Sequence, residues 1–153
     1  MAPERRGRRR VGDIVEVPLD MQHSAFGWVL DAPLVAFFDY RCPTKLVPAI
    51  KEIARKPIAF RIWVMKYALT SGRWPVLGNL TIPESVREPP WFRKCDPITR
   101  KVTITKTGDE EVEADPELSG PLEAAAVWDP EHVVDRLRDH FEGRPNRWVE
   151  SLK

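Results

Sequence analysis

Along "VGDIVEVPL", apolar and polar residues alternate. Val11, Val15, Val17 and Leu19 fall on one face of an extended chain, and Asp13 interrupts that face. After polar "DMQHS", "AFGWVL" places Phe26, Trp28 and Leu30 on one face, so the two runs predict an antiparallel hairpin. "PLVAFFDY" is almost wholly apolar, the pattern of a central strand buried on both sides. The period then changes. "LVPAIKEIARK" predicts a short helix with Pro48 in its first turn, an inner stripe of Ile50, Ile53 and Ala54, and a stop at Pro57. Alternation returns in "IAFRIWVMKYAL", which sets Ile58, Phe60, Ile62 and Val64 against Ala59, Arg61, Trp63 and Met65 and reads as one strand. "TSGR" turns into "WPVLGNL", where Pro75 indicates a sheet edge.

Four prolines make "PESVREPPWFRKCDP" the least regular stretch, and neither a long helix nor a central strand is expected there. "ITRKVTIT" resumes strand character, and "KTGDEEV" turns at Gly108. Ala124 to Trp128 reads as an inner strand. Asp129 then caps a helix with Pro130 at its first position and a stripe of Val133, Val134, Leu137 and Phe141, closed by Gly143. Arg138 and Asp139 are expected to face solvent. "GRPNRWVESLK" suits a short helix carrying Trp148 onto the body. The whole predicts a single α+β domain over 11–153, a largely antiparallel curved sheet with two main helices and a short C-terminal one.

Composition narrows the class. Of 153 residues, 42% are hydrophobic and 31% charged, as in water-soluble globular proteins. No apolar run approaches the ~18 residues of a membrane span, and no apolar segment follows the basic start. The first ten residues, "MAPERRGRRR", carry +4 against a chain total of +1, so the remainder carries −3. This tail is expected to be disordered. Its arginines also offer an alternative function, holding nucleic-acid phosphates.

Between 109 and 123 the chain has seven acids and no base. Such a segment either keeps a turn solvated or meets a basic partner. The second reading gives a candidate partner-binding set: Asp109, Glu110, Glu111, Glu113, Asp115 and Glu117, with Trp91 as an exposed aromatic anchor.

Catalytic and metal signals are weak. His132 and His140 lie about 80° apart around a helix and roughly 12 Å along it, unsuited to one ion. No GxGxxG, phosphate-binding loop or nucleophile elbow occurs, so no cofactor is expected. Cys42 and Cys95 are read as free thiols in a reducing cytoplasm. Cys42 or His132 acting with Asp39 is the remaining catalytic alternative, a small hydrolase. Arg136 or Arg138 with Asp135 or Asp139 reads as a surface ion-pair network.

The ordered series "GDIVEVPL", "FGWVL", "VAFFDY", "RWPVLGN", "CDPITRKV", "LEAAAVW" and "DRLRDHFEGRPNRW" resembles the immunity protein 26 family of bacterial polymorphic toxin systems, from Val11 to Trp148. The resemblance implies a cytoplasmic, non-catalytic α+β protein that binds and neutralises a cognate toxin; no membrane partner is expected from the absence of a long apolar run. It assigns no toxin-binding residues.

Overall fold

The computed structural model describes residues 9–153, so most of the basic tail lies outside the described residues. Strands β1 (Asp13–Pro18) and β2 (His23–Val29) form the expected antiparallel hairpin, with Ile14 opposite Trp28 and Val17 opposite Ala25. β3 (Leu34–Phe38) pairs with β2 and is buried at every residue. Short β4 (Cys42–Pro43) pairs with the start of β2. Helix α1 (Ile50–Ile53) precedes β5 (Ile58–Val64), which pairs with β3. After α2 (Lys66–Thr70), β6 (Val76–Asn79) closes the edge beside β1, where Pro75 placed it.

Next come α3 (Glu84–Arg87), β7 (Phe92–Cys95), β8 (Val102–Thr105) and β9 (Val112–Glu113). They are followed by α4 (Pro116–Ser119), β10 (Glu123–Ala124), β11 (Val127–Trp128), α5 (Pro130–Phe141) and α6 (Arg147–Ser151). The first sheet runs β11-β5-β3-β2-β1-β6, with β4 branching from β2, and the second runs β10-β7-β8-β9. Pairing is antiparallel except at β11–β5 and β10–β7. The protein is therefore α+β and largely antiparallel, built on two sheets.

Both faces of the first sheet are buried. Val15, Val17, Phe37, Ile62, Val64 and Trp74 line one face, where α5 lays Val133 and Leu137. Ile14, Phe26, Trp28, Ala36 and Phe38 line the other, met by Ile53 of α1 and Phe92 of β7. Asp13, on the Val15 face, is fully buried but satisfied. Arg10 N–H and the Asn79 amide donate to its two oxygens at 2.9 Å each. Beside it, Gly12 has φ +93°, and a Cβ there would lie 2.8 Å from Leu80 O. No other residue fits that approach without displacement.

Several sequence expectations are corrected. Pro48 lies before α1, whose N-cap is Ala49, so the helix is a single turn. "KYAL" continues as α2 and not as strand, because its alternation fits either period over so few residues. A register shift at Phe37/Phe38 sends Ile58 to the opposite core from Phe60, Ile62 and Val64. The proline-rich segment contains a true strand, β7, lying between Pro90 and Pro97. Ala124 to Trp128 is not an inner strand. It splits into β10 and β11 at the edges of different sheets, and small Ala125 and Ala126 carry the chain between them.

The Asp129-capped helix stands as read, apart from Asp139. The Asp129 carboxylate accepts Glu131 N–H at 2.8 Å, Gly143 follows the helix with φ +67°, and Leu137 is 0% exposed. Val134 and Phe141 are partly buried against the same core. Arg138 is exposed, whereas Asp139 is half-buried, because Asn146 donates to it at 2.8 Å.

Candidate partner-binding surface

The second sheet presents the acidic segment. Phe92 anchors it, fully buried and 4.4 Å from the Trp63 ring centroid. From that anchor β7 runs antiparallel to β8, and β8 to β9, with Lys94 opposite Thr103 and Thr103 opposite Glu113. Gly108 turns the β8–β9 hairpin at φ +91°, its N–H donating to Thr105 Oγ1 at 2.8 Å. Asp96 forms the other turn by accepting Ile98 and Thr99 N–H groups, which hold its carboxyl below the usual range.

The acids divide into two kinds. Glu111 bonds Lys94 Nζ at 2.6 Å, and that partner lowers its carboxyl value. Asp115 caps α4 by accepting Glu117 N–H at 2.8 Å. Asp109, Glu110, Glu113 and Glu117 are exposed, and among the described residues their carboxylates have no hydrogen bond or ion pair. The segment is thus less self-repelling than its sequence suggests. Its counter-charge comes from β7, 17 residues away, a pairing no local scan reveals.

Trp91 is 41% exposed immediately before β7, with Lys106 Nζ 5.0 Å from its ring centroid. The structure therefore attaches Trp91 and the acidic hairpin to one small sheet. It adds two apolar residues the sequence reading missed, Val112 at 54% and Leu118 at 81% exposure. Alternation alone would have sent both to the core. Their exposure follows from β9 being a two-residue edge strand and α4 a single turn. Trp91, Val112 and Leu118 are thus exposed apolar side chains in the same stretch of chain as the exposed carboxylates of Asp109, Glu110, Glu113 and Glu117.

The catalytic candidates are rearranged. Asp39 accepts from His140 Nε2 at 2.8 Å, 101 residues away, whereas His132 stacks on Trp148 with centroids 3.5 Å apart. The Asp39–His132 pairing is therefore corrected to Asp39–His140. Among the described residues no hydroxyl or thiol hydrogen-bonds His140. Cys42 is buried, and burial pushes its thiol up, away from the thiolate a nucleophile needs. Both cysteines are free. Among the described residues, no group of three His, Cys, Asp or Glu is arranged to hold a metal, and no helix is long and apolar enough to cross a membrane.

The arginine network also differs. Arg136 donates to Glu123 from both terminal guanidinium nitrogens, at 2.5 and 3.0 Å, and lies 3.9 Å over the Phe60 ring. Asp135 accepts Trp148 Nε1 at 3.0 Å, and Asp139 is held by Asn146 and Arg144. Arg136 thus joins α5 to β10 of the second sheet and does not pair along its own helix.

No curated protein and no solved structure matches the chain. A family model described as Immunity protein 26 matches residues 10–102, which contain β1 through β7 and the first residue of β8. The match thus covers the double-faced sheet up to β6 and the strand that anchors the second sheet. It spans more than half of the sequence, and the chain belongs to the Immunity protein 26 family.

Proposed function

We infer that this chain is a cytoplasmic, non-catalytic immunity protein that binds one cognate protein toxin and blocks it by forming a complex. Family membership carries this reading, since an immunity protein family implies toxin neutralisation in general. The second sheet supplies the binding surface. Trp91, Val112 and Leu118 are the apolar contacts, and Asp109, Glu110, Glu113 and Glu117 attract a basic toxin face. Glu111 and Asp115 shape that surface, one bonded to Lys94 and the other capping α4. This hairpin lies beyond the family match, as suits a surface that must differ from one toxin to the next.

Co-expression of the chain with the toxin encoded beside it tests the reading. Protected cells and a co-purifying complex are expected. Unprotected cells, with both proteins well expressed, contradict it. The arginine-tail alternative rests mostly on residues outside those described.

A further inference from the structure

We propose that a cleft between the loop joining β3 to β4 and the helices α5 and α6 is a second binding site, made for a carboxylate of an acidic protein segment. The cleft encloses about 590 Å3 and includes Arg41, Arg138, Arg144 and Arg147 among its lining residues. It also includes Asp20, Asp135, Asp139 and Glu142, so its formal charge balances. Its hydrogen-bonding capacity does not balance.

Each carboxylate is already engaged. Asp20 accepts Gln22 and His23 N–H groups at 2.7 Å each, which holds its carboxyl below the usual range. Asp135 accepts from Trp148, Asp139 from Asn146, and Arg144 clasps both Asp139 and Glu142 at 3.3 and 2.7 Å. In contrast, the guanidinium groups of Arg41, Arg138 and Arg147 have no hydrogen bond or ion pair among the described residues. Arg147 lies 4.2 Å over the Trp148 ring and Arg41 5.5 Å from the Phe141 centroid. Stacking fixes a guanidinium by its face and leaves the N–H groups at its edge free.

The cleft therefore offers three guanidinium groups without a hydrogen-bonding partner, two of them oriented by stacking, beside carboxylates that each already hold a partner. A carboxylate matches the planar fork of such groups. A phosphate dianion fits less well, because the wall carboxylates repel its second charge. The site shares no residue with the β7–β9 surface and stands independently of it.

Calorimetric titration of the full chain with an acetylated polyglutamate peptide at low ionic strength tests the site. Wild type should bind, and the Arg41→Gln/Arg138→Gln variant should bind about tenfold or more weakly, the loss of one or two charge-assisted hydrogen bonds. Because these side chains donate no internal hydrogen bond, the variant should keep the wild-type circular dichroism spectrum. Lys101→Gln, in the distant β7–β8 turn, should bind as wild type does. Failure of wild type to bind, equal loss in Lys101→Gln, or displacement by inorganic phosphate at lower concentration than peptide would each overturn the proposal.

Discussion

The two sheets differ in how far they are buried. In the seven-stranded sheet, both faces of β1, β2 and β3 meet apolar layers, and even Asp13 is enclosed with its hydrogen bonds complete. In the four-stranded sheet burial is local: Phe92, Val102 and Thr105 are buried, whereas Lys94, two residues from Phe92 on the same strand face, and Val112 and Glu113, neighbours on opposite faces of β9, are exposed. A strand buried on both faces has no side chain left for a partner. A strand buried over only part of its length does. The difference suits the second sheet to the proposed recognition, and the family match covers β1 to β6, six of the seven strands of the first sheet, but only β7 and the first residue of β8 of the second.

The largest expected effect is in the first sheet. Phe37 packs edge-on to Trp74, with centroids 5.7 Å apart, and is fully buried. Phe37→Ala should cost about 3–5 kcal/mol in denaturant unfolding, and Leu137→Ala about 2–5 kcal/mol. Losses below about 1 kcal/mol would break the distinction between the sheets.

Next is the joint between them. The Arg136 side chain is 12% exposed and its partner Glu123 24%, so the pair is mostly shielded from water. Arg136→Ala should cost about 1–3 kcal/mol, mainly by leaving a shielded carboxylate without its donor. If the joint matters, hydrogen exchange in β10 and β7 should rise more than in β2 and β3. Uniform change across both sheets would mean that Arg136 is not a specific link.

Acid should act on both sheets, more gently. A Tyr67 hydroxyl holds the Asp129 carboxyl low, backbone N–H groups hold Asp20 and Asp96 low, and Lys94 holds Glu111 low. In each case the fold favours the ionised form. That stabilisation is complete above the unfolded value near pH 4 and is lost as pH falls through the lowered folded values. Thermal stability should therefore fall between about pH 4 and pH 2. A flat profile there contradicts these assignments. The smallest effect belongs to β9, where Val112→Ser should change stability by less than about 0.5 kcal/mol. A larger loss would make that residue part of the core.

What was legible in the sequence follows the same division. The β1–β2 hairpin, buried β3 and the Asp129-capped helix announce themselves because period, cap and stop agree within a few residues. The joint and the candidate surface do not. Lys94–Glu111, Arg136–Glu123 and Asp39–His140 are each made by the fold across 17, 13 and 101 residues. Exposure of Val112 and Leu118 depends on how little sheet lies beyond them, and no local pattern records that. Proline spacing likewise concealed β7, since its flanks look broken while the four residues between them pair normally with β8.

The central claim is that the second sheet recognises a basic toxin face while the first holds the fold. Its most direct test is the association rate of the cognate toxin with wild type and with Glu110→Lys/Glu113→Lys/Glu117→Lys, measured over a range of salt concentrations. Glu111 is left in place because it is bonded to Lys94. At low salt the variant should associate about tenfold or more slowly, with its salt dependence reduced or reversed and its thermal unfolding unchanged. Equal rates and equal salt dependence in a normally folded variant would contradict the claim.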